Sequence, residues 1–133
     1  MEFRGNGMCF GCGESNPIGL KLRFVSEGDL FYSKYTPKPE FQSYAGVVHG
    51  GIVSTLLDEV MANHLLSRGL IVVTAELSVR FIKPVPVNAE LKVVSKVKES
   101  KGRLSQMEGW IEDGSGQVLV RGTAKMMHVG GKE

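Results

Sequence analysis

The stretch His49-Gly50-Gly51-Ile52-Val53-Ser54-Thr55-Leu56-Leu57-Asp58-Glu59 decides the fold, because it opens a long helix in a chain that otherwise alternates like β-strands. The two glycines leave the backbone bare where the helix begins. The first turn of a helix has unpaired N–H groups at the positive end of the helix dipole, and a carbonyl oxygen or a phosphate can approach them. Asp58 adds a carboxylate about two turns further on. Backbone donors that polarise a carbonyl group, together with a carboxylate that can act on it, are the smallest set of groups that a hydrolase needs.

The helix is predicted from about Gly50 to Arg68, with Gly69 suited to end it. Its apolar residues form one continuous stripe, at Ile52, Val53, Leu56, Leu57, Val60 and Met61. Asp58 lies well away from the centre of this stripe, on a side of mixed polarity. We therefore expect a partner subunit to cover this second face of the helix.

Strands are predicted on both sides of the helix. Alternating or β-rich segments cover residues 20–24, 30–35, 73–83, 89–97, 103–111 and 118–127. From Val73 to Phe81 the odd positions are apolar or small, and the even positions, Thr74 among them, are polar. The expected fold is α+β, with an antiparallel sheet of about six strands covered by one helix. A second copy could cover the exposed sheet edge.

Composition bounds the class of protein. The chain has 133 residues, of which 42% are hydrophobic and 23% charged, as in one globular domain. A net charge of +2 gives no general case for nucleic-acid binding. No apolar run is long enough to span a membrane and the start is no secretory signal, so a cytoplasmic protein is expected. We divide the chain into a glycine-rich loop, 1–19, and a single domain, 20–129.

Cys9 and Cys12 form a C-x-x-C pair whose role the sequence leaves open. A structural zinc site needs four ligands, and the pair supplies two. A redox pair usually sits at a helix start after a strand, whereas glycines surround this one. Reduced thiols are favoured, with a metal shared between subunits or a disulfide as alternatives.

The His49-Gly50-Gly51 start with Asp58, the strand Thr74-Ala75-Glu76-Leu77-Ser78-Val79-Arg80-Phe81-Ile82-Lys83-Pro84 and the order of elements resemble the hotdog-fold acyl-CoA thioesterases. These belong to the 4-hydroxybenzoyl-CoA thioesterase superfamily, and the most similar branch is typified by the phenylacetate-pathway (PaaI-like) thioesterase. The resemblance covers nearly the whole chain after about Ile18. It implies a curved sheet wrapped around the helix, a homodimer with active sites at its interface, and in many cases a dimer of dimers.

The resemblance also implies the chemistry. The expected reaction is hydrolysis of an acyl-CoA to a free acid and CoA, with no metal or bound cofactor. Asp58 matches the family carboxylate, which acts as a general base or as a nucleophile. Gly50 matches the glycine whose N–H polarises the thioester carbonyl, His49 matches the histidine that orders the loop, and Thr74 falls where a Ser or Thr helps to place the water.

Further positions are assigned to the binding of the substrate. Six residues before His49, relatives often carry an Asn. Here the residue is Ser43, and the neighbouring Gln42 could do the same work. Gly51 belongs to the bare helix start, and Arg80 and Lys83 are candidates for the phosphates of CoA.

Each candidate has a simpler interpretation. Asp58 could be a solvated helix residue, Thr74 a plain strand residue, and Arg80 and Lys83 solvated surface cations. Glu59 is favoured as a salt-bridged or solvated residue. The alternative functions are a hotdog dehydratase or hydratase, and a non-enzymatic acyl-CoA binding module.

Overall fold

One long helix packs against a six-stranded antiparallel sheet in the computed structural model, which describes residues 3–131. In chain order the elements are β1 (Val25–Glu27), β2 (Leu30–Tyr35), a 3₁₀ turn (Pro39–Phe41), α1 (Gly50–Leu66), β3 (Leu70–Phe81), β4 (Leu91–Lys101), β5 (Leu104–Glu112) and β6 (Val118–Gly131). The strand order across the sheet is β1-β2-β4-β5-β6-β3. The predicted α+β hotdog fold is confirmed.

The helix begins where the sequence predicts. His49 is the N-cap residue, and its Nδ1 accepts a hydrogen bond from the Gly51 N–H at 2.9 Å. The backbone carbonyl of His49 accepts the first helical bonds, from Ile52 and Val53. The helix ends at Leu66 rather than near Arg68, and Gly69 follows with φ +85°, in the left-handed conformation that favours glycine.

A pair of glycines sets how closely α1 approaches the sheet. Gly109 on β5 lies directly opposite Gly122 on β6. A Cβ atom at Gly122 would lie 3.1 Å from Cδ1 of Leu57, and one at Gly109 would lie 3.3 Å from its Cδ2. Leu57 therefore packs directly on the sheet backbone. It belongs to the core with the other buried residues of the helix, Val53, Leu56, Val60, Met61 and Leu65.

The strand predicted at residues 20–24 is wrong, because the first strand is Val25–Glu27. Leu20 and Leu22 are buried as their alternation indicates. Their N–H groups, however, donate to the carbonyl oxygens of Phe10 and Gly11 at 2.8 and 3.0 Å. The segment thus pairs with the N-terminal loop and not with the sheet. The division of the chain at residue 19 stays a prediction.

The single alternation predicted for β3 is also wrong. Leu70 and Val72 pack against the core, and further along the strand Leu77 and Val79 do so. The change of phase comes from a β-bulge, because Thr74 pairs with Met126 and Glu76 pairs with Lys125, which leaves Ala75 as the additional residue. Thr74 therefore faces the helix, although the sequence assigned it to the polar face.

β3 forms one edge of the sheet, with the side chain of Phe81 54% exposed at its end. Within residues 3–131, no helix has the length and apolarity that crossing a membrane would require.

Candidate active site

Asp58 and Thr74 face each other between α1 and β3. The Thr74 hydroxyl donates to Oδ1 of Asp58 at 2.6 Å. The same hydroxyl oxygen lies 3.4 Å from Sδ of Met126, which is fully buried beneath it. The bond fixes one carboxylate oxygen on an otherwise open side of the helix and leaves Oδ2 to meet a water molecule or a substrate.

Gly50 is the first residue of α1, and no group within residues 3–131 accepts a hydrogen bond from its N–H. The Gly51 N–H is already taken by His49. A Cβ atom at Gly51 would lie 3.2 Å from Nδ1 of His49, so this glycine keeps the capping bond unobstructed. Gly50 is thus the donor at the helix start that remains for a carbonyl oxygen.

Phe81 lies over the start of the helix, a contact that the sequence analysis missed. A Cβ atom at Gly50 would lie 3.5 Å from Cζ of the Phe81 ring. The signal was present in the order of elements, because β3 follows α1 after a short turn and returns beside it. An exposed aromatic ring at the end of β3 therefore stands next to the Gly50 N–H.

Gln42 and Ser43 lie in an exposed turn before the helix. Oε1 of Gln42 accepts the Gly46 N–H at 2.9 Å, and the Ser43 N–H donates to the Val47 carbonyl at 2.8 Å. The side-chain oxygen of Gln42 thus stabilises its own loop. The side-chain nitrogen is the atom that can donate a hydrogen bond to a substrate.

The spacing of Gly50 and Asp58 limits what one protomer can do. They lie eight residues apart on the same helix, about 12 Å along its axis at 1.5 Å per residue. A group bound at the Gly50 N–H is therefore out of reach of the Asp58 carboxylate of the same chain.

Arg80 and Lys83 do not lie on the helix start itself. Arg80 is directly opposite Arg121 across β3 and β6, and both line a surface cleft of about 360 Å³ with Trp110 and Glu108. Two like charges in directly opposite positions favour an anion between them. Lys83 follows β3, and its backbone N–H donates to the Leu119 carbonyl at 3.0 Å.

The other two histidines are bonded to serines. Nδ1 of His64 lies 2.9 Å from Oγ of Ser95, and its ring stacks on Phe31 with 5.1 Å between centroids. Burial, together with the nearby Arg68, lowers the pKa of His64 to about 4. Nε2 of His128 lies 2.8 Å from Oγ of Ser105. These bonds give both rings a structural role.

Cys9, Cys12 and Glu59 come together on the other side of α1. Their potential ligand atoms lie within 4.8 Å of one another, and both cysteines are free. The Cys9 thiol donates to Oε1 of Glu59 at 3.2 Å. Nothing in the spacing of the sequence pointed to Glu59 as the partner of the C-x-x-C pair, because 50 residues separate it from Cys9.

A family model described as "Thioesterase superfamily" matches residues 45–120, which include Gly50, Asp58 and Thr74. The chain belongs to the thioesterase superfamily. The hotdog fold and the family that the resemblance implied are both confirmed.

Curated relatives of the sequence include three proteins from yeasts and mouse. MIOREX complex component 3 of Saccharomyces cerevisiae is 36% identical over 81% of this chain and 40% of its own length. An uncharacterized mitochondrial protein of Candida albicans is 42% identical over 53% of this chain and 32% of its own. Mouse acyl-coenzyme A thioesterase THEM4 is 32% identical over 56% and 35%. The chain thus spans well under half of each relative. The cytoplasmic location stays a prediction, since one relative is described as mitochondrial.

Solved structures share the fold. A thioesterase superfamily protein is 25% identical over 91% of this chain and 60% of its own, with a TM-score of 0.84. The Escherichia coli PaaI protein of the phenylacetic acid degradation operon is 20% identical over 85% and 83%, with a TM-score of 0.77. A hypothetical thioesterase of Streptococcus pneumoniae with coenzyme A is 19% identical over 84% and 91%, with a TM-score of 0.78. The pneumococcal protein has also been crystallised with one aspartate, and with one threonine, replaced by alanine.

Proposed function

We propose that this protein hydrolyses acyl-CoA thioesters to a free acid and CoA. The observation that carries the proposal is the 2.6 Å hydrogen bond from Thr74 to Asp58, in a chain of the thioesterase superfamily. The mouse acyl-coenzyme A thioesterase among the relatives and the coenzyme A bound by the pneumococcal structure support this substrate class.

The spacing of the two polar residues adds support. The aspartate and the threonine replaced in the pneumococcal protein lie 16 residues apart in that chain, and so do Asp58 and Thr74 in this one. An aspartate and a threonine with this spacing have therefore been chosen for substitution in a protein of the same fold.

In the proposed reaction the thioester carbonyl oxygen accepts the Gly50 N–H at the positive end of α1. Charge grows on that oxygen as the carbon is attacked, and one such donor stabilises it by about 3 kcal/mol. Asp58 removes a proton from the attacking water, or attacks the carbon itself to form an anhydride that water then opens. The C–S bond breaks and CoA leaves as the thiolate, which takes up the proton that the water gives up. General base catalysis adds roughly 10²–10⁴-fold.

The neighbouring residues position this pair. Thr74 holds Oδ1 of Asp58, so that Oδ2 is directed at the water. The side chain of His49 accepts the Gly51 N–H. This hydrogen bond fixes the first turn of the helix and hence the direction of the Gly50 N–H. The side-chain amide of Gln42, or the hydroxyl of Ser43, is the candidate to assist the departing thiol.

A homodimer completes the site in this proposal. Because about 12 Å of helix separates Gly50 from Asp58, the carbonyl held at Gly50 of one protomer meets Asp58 of the partner subunit. The free edge of β3, which carries Thr74, is the edge at which a second sheet can add. Pairing of two dimers into a tetramer stays a prediction.

Arg80 and Lys83 are proposed to bind the phosphates of CoA. The opposed guanidinium groups of Arg80 and Arg121 supply the positive charge, although Glu108 in the same cleft opposes it. Replacing Arg80 with alanine is then expected to raise KM for an acyl-CoA more than for the same acyl group on pantetheine, which lacks the nucleotide phosphates. An equal change for both substrates would contradict this role.

The test is thiol release from a panel of acyl-CoAs, from short to long and aromatic. Asp58→Asn keeps the shape of the side chain and removes its basicity, so kcat should fall at least about 100-fold. Asp29→Asn, in the exposed turn between β1 and β2, is the matched control and should leave kcat unchanged. Equal kcat for wild type and a folded Asp58→Asn would remove Asp58 from the mechanism. Binding of acyl-CoA without turnover would favour the binding module.

A further inference from the structure

A second group of chemically reactive side chains lies beside the proposed active site and takes no part in it. Cys9 and Cys12 come from the N-terminal loop and Glu59 from α1, next to Asp58 but about 100° further around the helix. Their two sulfur atoms and a carboxylate oxygen lie within 4.8 Å of one another. Two thiols and a carboxylate at this separation form a ligand set for a transition-metal ion.

We propose that Cys9, Cys12 and Glu59 bind a zinc ion, which ties the N-terminal loop to helix α1. Thiolate and carboxylate are both zinc ligands, and zinc is four-coordinate in most protein sites. Three donors come from this chain, and a water molecule takes the fourth position.

The distances fit such an ion with small adjustments. Zinc binds thiolate at about 2.3 Å and carboxylate at about 2.0–2.2 Å, so tetrahedral geometry sets a sulfur–oxygen separation of about 3.6 Å. Sγ of Cys9 lies 3.2 Å from Oε1 of Glu59. The three donor atoms lie within 4.8 Å of one another, so they need to approach by no more than roughly 1 Å to reach tetrahedral spacing.

The loop is built to close on Glu59. A Cβ atom at Gly11 would clash with the Glu59 carboxylate, and a Cβ atom at Gly13 would clash with the backbone of Gly7 and Cys9. The Gly13 N–H donates to the Cys9 carbonyl at 2.8 Å, which tightens the turn that holds both cysteines. Glycine at positions 11 and 13 is thus what allows the C-x-x-C turn to reach the helix.

The three groups also suit a cation by their charge. Burial, with the neighbouring Cys9 and Glu59, raises the pKa of Cys12 to about 12, because a further negative charge in this cluster is unfavourable without a cation. A divalent cation reverses this effect by stabilising the thiolates and the carboxylate together.

The test begins with reduced protein from which metal has been removed, titrated with Co²⁺ as a spectroscopic probe for the zinc site. Wild type should bind one equivalent per chain, with an intense near-ultraviolet thiolate-to-cobalt band that zinc abolishes. Cys9→Ser and Cys12→Ser should each lose about half of the band or all binding, and Glu59→Gln should weaken cobalt binding at least about tenfold. Glu14→Gln is the matched control, because Glu14 is an exposed loop carboxylate paired with Arg23; it should bind as wild type does.

A second measurement does not depend on the folding of the variants. X-ray absorption of the zinc-loaded wild type should show two sulfur ligands at about 2.3 Å and two oxygen ligands at about 2.0 Å. Absence of cobalt and zinc binding by reduced wild type would overturn the proposal. Four sulfur ligands would also overturn it, because the ion would then lie between two C-x-x-C pairs without Glu59. Thioester hydrolysis is assayed separately with Asp58→Asn, so either proposal can fail alone.

Discussion

In the proposed reaction, Thr74 is expected to act through Asp58 and not through the substrate. Its hydroxyl oxygen is 2.6 Å from Oδ1, a length typical of a strong bond from a hydroxyl to a carboxylate. A carboxylate held in this way keeps one orientation while its other oxygen works. A structural role for Thr74 would affect stability, whereas a positioning role affects turnover.

We expect Thr74→Val to lower kcat about 10-fold or more with little change in KM, because the substituted side chain keeps the shape and loses the hydrogen bond. Thr74→Ser restores a hydroxyl and should recover most of kcat. The measurement is steady-state thioester hydrolysis, together with thermal unfolding of each variant. A loss of stability at unchanged kcat would assign Thr74 to the packing of β3 instead.

His64 should make the stability of the fold depend on pH. Burial lowers its pKa from 6.5 to about 4. Well above pH 6.5 the ring is neutral in both the folded and the unfolded state, and its contribution to stability is fully present. Between pH 6.5 and 4 only the unfolded chain takes up the proton. The free energy of unfolding therefore falls as the pH falls through this range. The loss is at most about 3 kcal/mol. His64→Gln should flatten this dependence in urea unfolding, whereas His128→Gln should keep it. Parallel curves for wild type and His64→Gln would refute the assignment.

At the scale of elements, the closeness of helix and sheet depends on two residues without side chains. Leu57 of α1 rests on Gly109 and Gly122 of neighbouring strands. Since protein interiors are close-packed, an added methyl group there must displace the helix or distort a rotamer. The helix carries both Gly50 and Asp58, so its height above the sheet also positions the candidate site.

Gly122→Ala should lower the free energy of unfolding by about 1–3 kcal/mol, because the new Cβ atom meets Leu57 at 3.1 Å. Gly114→Ala is the control, since a Cβ atom at Gly114 meets nothing within 4 Å. Chemical denaturation of both variants gives the comparison. Equal stability of the two variants would show that the helix moves without cost.

The elements differ in how well the sequence predicts them. The helix start was predictable, because His49, the glycines and the apolar stripe are local signals that tertiary structure did not override. The segment 20–24 was not, because alternation reports which side chains are buried and not which neighbour supplies the hydrogen bonds. The bulge at Ala75 was hidden for a similar reason: it is defined by the register with β6, which lies about 50 residues away. The partner of Cys9 and Cys12 depends likewise on tertiary folding.

For the whole molecule, the proposed site needs two chains, and this can be tested with two inactive variants. Gly50 occupies the first position of α1, where proline is tolerated and removes the N–H group. The preceding His49 has φ −57° and ψ 135°, a conformation compatible with a following proline. Gly50→Pro and Asp58→Asn should therefore each form a folded but inactive homodimer.

Co-expression of Gly50→Pro with Asp58→Asn should restore activity to about a quarter of wild type. Half of the dimers are mixed, and each mixed dimer has one site with an intact Gly50 and an intact Asp58 from opposite chains. The measurement is thiol release by the co-expressed mixture, against the two variants purified separately. If both groups acted within one protomer, no chain would carry both, and the mixture would stay inactive.

The bulge at Ala75 also determines whether β3 can lose a residue. Because of the bulge, Leu70, Val72 and Thr74 face the helix before it, and Leu77 and Val79 face the core after it. Deleting Ala75 would remove this bulge and turn one half of β3 over, so that either Thr74 leaves Asp58 or two core residues enter solvent. Substitutions along β3 can therefore change stability or activity in small steps. Loss of Ala75 cannot, because it costs either the hydrogen bond at Asp58 or the burial of two core residues.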